Sequence, residues 1–325
     1  MRELLTRGHL VTALVRPTSD TSGLPRGVDL AIGDVTDPGT LKPALIGQDV
    51  VFHLAAVVGK DPGGWDHHNA VGVQGTDNMI EAVAAARVPR FVHLSSAAVH
   101  GRHQPSQAVT EDMPYDDDPE PWNHYVRQKV LSEKLIWKAH AQGRVRATTI
   151  RPPTVIGPGD VNLVGNLGAI MSSPLGTVAA DGRHRMPVVV VEELVGGVVD
   201  AASTESTVGK PYYVAASDPI TKQQLLEWFR LAGLAPRRPS VGRRLMARTA
   251  LAGSRLVRVL PERAVCTLVA ALESHARRRA QHDCVIDCSR AATDFGWQGS
   301  ADCAAAVART MDWFRRLERQ DSTRP

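Results

Sequence analysis

Phe91-Val92-His93-Leu94 runs directly into Ser95-Ser96, and Tyr125-Val126-Arg127-Gln128-Lys129 follows further along the chain. A short apolar run without polar alternation reads as a strand covered on both faces, the signature of a parallel sheet inside a layered α/β domain. The flanking sequence repeats the theme. Val11–Val15, Asp29–Ile32, Val50–Leu54 and Arg146–Ile150 read as further strands, and Thr76–Arg87 and Tyr125–Ala141 as helices between them. Strands alternating with helices argue for βαβ units and a doubly wound parallel sheet.

Beyond Gly157-Pro158-Gly159 the rhythm loosens. Pro187–Val191 reads as a short strand leading into a helix through Ala202, and Pro211–Ala215 as another strand. Thr221 with Gln224 three residues on is a capping-box start, and Ala304–Leu317 is an amphipathic helix. The expected division is therefore 1–157 as the sheet domain, with about 187–202 completing the sheet. Residues 158–325 would form mainly a smaller helical substrate lobe and the C-terminal helices.

With 325 residues and 43% hydrophobic content the chain has ample material for a core. No apolar run reaches the roughly 18 residues of a membrane span, and the N-terminus lacks the apolar stretch of a secretory signal. A cytoplasmic protein is expected. Cys266, Cys284, Cys288 and Cys303 lack paired Cys-x-x-Cys spacing and read as reduced packing thiols. His67-His68 beside Asp66 reads as a polar loop at a pocket rim, since sequence neighbours do not converge easily on one ion, so no metal is expected.

The formal charge of +4 is unevenly spread: from Pro236 to Arg279 eleven arginines face only Glu262 and Glu273. Nucleic acid is one reading of such a segment, but Leu245, Leu251, Leu256, Leu260, Leu268 and Leu272 recur near helical spacing. A helical pair with a solvated basic face fits better, so no nucleic-acid partner is expected. Peripheral contact with an anionic membrane surface or an acidic cosubstrate stays open.

Tyr125 and Lys129 stand four residues apart, about one helical turn, so the phenol and the ammonium share a face. A cation beside a phenol favours the phenolate and lowers its pKa. A serine hydroxyl at the end of a buried strand can bind the same substrate oxygen. Together these are three groups that hydride transfer at a carbinol carbon requires. A lone Tyr-x-x-x-Lys arises often by chance; its surroundings give it weight.

Those surroundings are ordered motifs. Gly33-Asp34-Val35-Thr36-Asp37, Asp49-Val50-Val51-Phe52-His53-Leu54-Ala55-Ala56, Ser95-Ser96-Ala97-Ala98-Val99-His100-Gly101, the Tyr125/Lys129 pair and Arg151-Pro152-Pro153-Thr154-Val155-Ile156-Gly157-Pro158-Gly159 appear in that sequence. Together they resemble the extended short-chain dehydrogenase/reductases, the superfamily of NAD-dependent epimerases and dehydratases, here closest in pattern to its 3β-hydroxysteroid dehydrogenase-like branch. The late segment Asp287–Trp297 extends the resemblance over nearly the whole chain.

The resemblance implies a Rossmann-type sheet with a C-terminal substrate lobe. It implies Tyr125 as acid/base, Lys129 as ribose ligand and tuner of the phenol, and Ser96 rather than Ser95 as the substrate-orienting hydroxyl. Asp34 and Val35 would meet the adenine, Ala55 and Ala56 would let the backbone approach the cofactor, and Pro152 would border the nicotinamide. Arg16 ends the strand where the family often places an acid for the adenosine 2′-hydroxyl. A cation there, with Arg26 nearby, suits a 2′-phosphate, so NAD(P) is expected with NADP slightly favoured. A homodimer through two long helices is a further implication.

Some positions depart from the family pattern. Gly72 stands where Asn is usual, His100 and Ile156 where tyrosines are common, and Glu193 at a frequent Asp; these are expected to alter pocket shape. The family's opening strand and Gly-x-x-Gly-x-x-Gly loop would precede Met1, since Met1–His9 reads as the end of the first helix; a misplaced start or truncated record is the expected reason. On that reading residues 1–325 alone are expected to bind NAD(P) weakly and dissolve poorly, and a micromolar affinity would overturn it.

The apolar stretch Leu245–Leu272 points to a lid over a lipophilic small molecule. The expected function is an NAD(P)-dependent oxidoreductase acting on a hydroxyl or keto group of a steroid- or isoprenoid-like substrate. A nucleotide-sugar epimerase or dehydratase is the first alternative, kept open by Arg243, Arg244 and Arg248. A catalytically silent regulator is the second.

Overall fold

The computed structural model describes residues 1–58, 63–101, 108–119, 123–160, 185–232, 283–299 and 302–322. The basic stretch 236–279, the proposed lid within it, and much of the expected substrate lobe lie outside these residues.

After a short helix α1 (Arg2–Thr6), strands β1 (Val11–Val15) and β2 (Val28–Ile32) pair in parallel. Helix α2 (Leu41–Leu45) leads to β3 (Val50–His53), and α3 (Gly64–His68) passes through a π-helical turn (Asn69–Gln74) into α4 (Gly75–Ala86). β4 (Arg90–Leu94), α5 (His124–Ala141) and β5 (Ala147–Arg151) follow. β6 (Thr154–Ile156) pairs in parallel with β8 (Val188–Val190), and β7 (Arg185–Met186) pairs antiparallel with β10 (Ile220–Thr221). α6 (Val191–Ser203), β9 (Pro211–Tyr213), α7 (Lys222–Leu231), α8 (Ser289–Phe295) and α9 (Cys303–Ser322) complete the described elements.

The central sheet has the order β3-β4-β5-β9, all parallel. Successive residues of β4 bury into opposite layers, as the strand period of two requires. Phe91 packs with Ile80 and Val83 of α4 and Ile136 and Ala139 of α5. Val92 packs on the other face with Leu194, Ala201 and Ala202 of α6, Ala291 of α8 and Trp297. All five residues of β5 are buried. Helices cover both faces, which is the doubly wound Rossmann-type arrangement expected from the strand composition. Among the described residues β1–β2 forms a ladder separate from the β3-β4-β5-β9 sheet.

Helix ends follow their local signals. Asn123 accepts from the Val126 N–H at 3.4 Å to start α5. Thr221 and Gln224 form the reciprocal capping box of α7. Gly296 ends α8 at φ 73°, a left-handed conformation that costs glycine little.

One sequence expectation needs correction. His67 and His68 belong to helix α3 rather than a loop; His68 is buried, its ring 5.7 Å from that of His124. Ile156 and His100 are both buried. Ile156 packs in the core with Val188 and Val190, while His100 binds Pro114 O and Arg151. No helix among the described residues is long and apolar enough to cross a membrane.

Candidate active site

The parallel sheet gathers strand C-termini along one edge, and loops there carry most of the expected site residues. Arg16 follows β1 and is exposed. Asp34 and Val35 follow β2, where Asp34 accepts from the Thr36 N–H and hydroxyl, both at 2.8 Å. The Thr36 backbone bond is the main reason the Asp34 carboxyl sits below its ordinary pKa, with Arg16 adding a smaller pull. The Val35 carbonyl accepts from Asn78 Nδ2 at 2.8 Å, which ties this loop to α4. Ala55 and Ala56 follow β3 and are half-buried. Pro152 follows β5 and is buried, its carbonyl accepting from the Ala97 N–H at 2.9 Å.

At the end of β4 the serines separate. Ser96 accepts from the Ala98 N–H at 3.2 Å and shares a side-chain hydrogen bond with Tyr125. Ser95 is buried and donates to Glu133 Oε2. The strand period turns one hydroxyl toward the open edge and the other into the protein. Lys129, one turn along α5 from Tyr125, is buried and donates to the Leu94 carbonyl at 2.7 Å. Ser96, Tyr125 and Lys129 thus converge on the last residues of one strand.

Burial raises the Tyr125 pKa, partly offset by the Ser96 hydrogen bond. The lowering expected from Lys129 is not what this structure shows. The ammonium is directed at Leu94 O, and desolvation is the larger effect on the phenol. Burial in turn brings Lys129 down to about 8, with the Glu133 carboxylate pulling the other way. Because its folded pKa lies below the ordinary lysine value of 10.5, charging this amine costs stability below pH 8. The cost is relieved as pH rises from about 8 to 10.5, where the unfolded chain holds more protons. We therefore expect the stability of wild type relative to Lys129→Met to rise across that window, by on the order of 3 kcal/mol. Denaturant titrations at pH 7.5 and 9.5 test this, and an unchanged difference would refute it.

Two residues not singled out from sequence organise this region. Glu133 is fully buried, and its Oε1 accepts from Arg151 Nε at 2.9 Å, Arg151 Nη2 at 2.6 Å, and Tyr115 and Trp137 at 3.1 Å each. Arg151 also donates to the Glu111 carbonyl at 2.9 Å. Gln128, fully buried, binds the backbone of Val57 in the loop after β3. Helical spacing supplied the missed signal: Gln128 is three residues from Tyr125, and Glu133 four from Lys129.

The described groups suit a nicotinamide dinucleotide in part. An ionised carboxylate follows β2 of the β1–β2 ladder, while two alanines follow β3 and a buried ammonium and a phenol–hydroxyl pair gather at the end of β4.

Known proteins share the family and the fold of this chain. The family model for the NAD dependent epimerase/dehydratase family matches residues 1–215. The 2-alkyl-3-oxoalkanoate reductase of Stenotrophomonas maltophilia is 28% identical over 246 residues, covering 73% of this chain and 72% of that protein. The decarboxylating sterol-4-alpha-carboxylate 3-dehydrogenase of Bos taurus is 30% identical over 231 residues, 68% of this chain, and the chain spans 62% of its length. The crystal structure of UDP-glucuronic acid 4-epimerase from Bacillus cereus in complex with NAD has a TM-score of 0.69 at 17% identity, covering 99% of this chain and 94% of that one.

Proposed function

The chain belongs to the NAD dependent epimerase/dehydratase family, and from that membership we propose an NAD(P)-dependent enzyme that oxidises or reduces a carbinol carbon, with Tyr125, Ser96 and Lys129 as its working groups. The observation that carries this reading is the convergence of the three side chains on the end of β4. Bound nicotinamide would supply or take the hydride at its C4. Tyr125 moves the proton on the substrate oxygen, and Ser96 holds that oxygen within reach of the phenol. Lys129 supplies a buried cation beside the ribose position. Asp34 and Val35 receive the adenine, Ala55, Ala56 and Pro152 line the path to the nicotinamide, and Arg16 favours a 2′-phosphate. On this reading residues 1–157 with 187–202 hold the cofactor and 158–325 mainly the substrate.

For the substrate, the family description and nucleotide-sugar enzymes of the same fold favour a nucleotide sugar, worked on by epimerase- or dehydratase-type chemistry. The lipophilic hydroxyl or keto compound expected from the apolar C-terminal stretch becomes the second reading. It draws support from the reductase and sterol dehydrogenase relatives.

A thermal-shift panel separates the two. With NAD(H) or NADP(H) present, UDP- and dTDP-sugars are expected to raise the melting temperature by several degrees, since a ligand at 100 times its Kd adds roughly 2.7 kcal/mol. Stabilisation by 2-alkyl-3-oxoalkanoates or a sterol, with none by nucleotide sugars, would select the second reading.

A further inference from the structure

Gly72 lies in the π-helical turn between α3 and α4, and it is buried. A Cβ placed on it would collide with Gln128 Oε1 and would stand 2.9 Å from Gln128 Cδ and 3.1 Å from Gln128 Cβ. Its φ is not in the left-handed region, so backbone conformation does not require glycine here. The requirement is space, and Gln128 occupies that space. The Gln128 amide spans to Val57, donating from Nε2 to the Val57 carbonyl at 2.5 Å and accepting the Val57 N–H at Oε1 over 3.4 Å. A primary amide is the side chain that can satisfy a backbone carbonyl and N–H together.

The turn itself is anchored on its other side. The Gly72 carbonyl accepts from Thr76 Oγ1 at 2.6 Å, and that hydroxyl meets His53 Nε2 of β3 at 2.9 Å. Gln128 therefore closes a ring of contacts from α5, across the turn at Gly72, to the segment that leaves β3. Ala55 and Ala56 sit between β3 and Val57, inside this ring.

We propose that Gln128 is a positioning residue that fixes the segment Leu54–Val57, and with it Ala55 and Ala56, in register with Tyr125 and Lys129. Gly72 is then glycine because the Gln128 side chain stands where its own would be. The role assigned to the segment rests on the reading that Ala55 and Ala56 face the nicotinamide cofactor; the latch itself does not.

Gln128→Met tests the latch, because it keeps an unbranched side chain of similar volume and removes both hydrogen bonds. The expected melting temperature stays within a few degrees of wild type. The Val57 amide should exchange at least about tenfold faster, because its protection comes from local structure. The Kd and KM for NAD(H) or NADP(H) should rise roughly tenfold, the scale of one or two lost hydrogen bonds, with kcat within about twofold. A purely structural role would not divide KM from kcat in this way.

The pairing with Gly72 is tested by a double-mutant cycle. Gly72→Ala alone should lower the melting temperature. In the Gln128→Ala background its further effect should be clearly smaller, because the obstructing Oε1 and Cδ are gone and only the 3.1 Å approach to Cβ remains. Cofactor affinity should stay weak in the double variant, since relieving the collision does not rebuild the latch.

Unchanged Val57 exchange and cofactor Kd in Gln128→Met, or additive melting shifts in the cycle, would overturn the proposal. Faster Val57 exchange in Gln128→Met with cofactor Kd unchanged would also overturn it, since the latch would then position nothing the cofactor uses. If wild type binds neither NAD(H) nor NADP(H), the proposed function fails, whereas Val57 exchange and the melting cycle still decide whether Gln128 and Gly72 are coupled.

Discussion

Arg151→Met is expected to lower the melting temperature by roughly 10 °C. Arg151 and Glu133 are almost wholly shielded from solvent, and the pair joins β5 to α5. Removing the guanidinium leaves the Glu133 carboxylate in a dry site with, among the described residues, the Ser95, Tyr115 and Trp137 donors. Breaking such a pair from one side costs about 3–5 kcal/mol, a large share of a typical net stability of about 5–15 kcal/mol. The Glu111 carbonyl also loses its Arg151 donor. Arg151→Lys should fall between wild type and Arg151→Met, since an ammonium keeps the charge and loses the planar fork. Calorimetry decides: a methionine variant melting within about 2 °C of wild type would contradict the pair's structural role.

Tyr125→Phe is expected to reduce kcat by about a thousandfold while leaving the melting temperature nearly unchanged. Only the hydroxyl is removed. Its ring stays among Val99, Val126 and Val130. General acid–base catalysis by a positioned group contributes roughly a hundredfold to ten-thousandfold, and this phenol is the proposed proton carrier at the Ser96 hydroxyl. Cofactor binding should persist in the variant, because Lys129 keeps its hold on the Leu94 carbonyl. Single-turnover absorbance at the nicotinamide band, with whichever substrate the thermal-shift panel selects, is the measurement. A rate within about tenfold of wild type would remove Tyr125 from the proposed mechanism.

Both changes act on helix α5, whose residues differ greatly in how openly their roles can be read. Tyr125 and Lys129 were legible because their relation is local: one helical turn sets it whatever the rest of the chain does. The strand at Phe91–Leu94 was legible for a similar reason, as were the Thr221/Gln224 cap and the serines that end β4. Hydrophobic pattern and turn chemistry act over a few residues, and they suffice for a doubly wound sheet with a reactive edge.

What the local pattern left open depends on contacts across long stretches of chain. Which serine meets Tyr125 followed from the facing of β4 against α5, with Glu133 capturing Ser95. The Tyr125 pKa is raised where spacing alone suggests a fall, because spacing reports a neighbouring cation and says nothing of burial. Glu133 gained its meaning from Arg151, eighteen residues on, and Gln128 from Val57, seventy-one residues back. The glycine at 72 looked like a lost side chain until packing placed Gln128 in its volume. Sequence alone therefore determined the main elements and the spacing of the pair proposed to move the proton, because helix and strand geometry are short-range. Tertiary structure alone decided what surrounds that pair, because desolvation, ion pairing and steric exclusion arise only where distant segments meet.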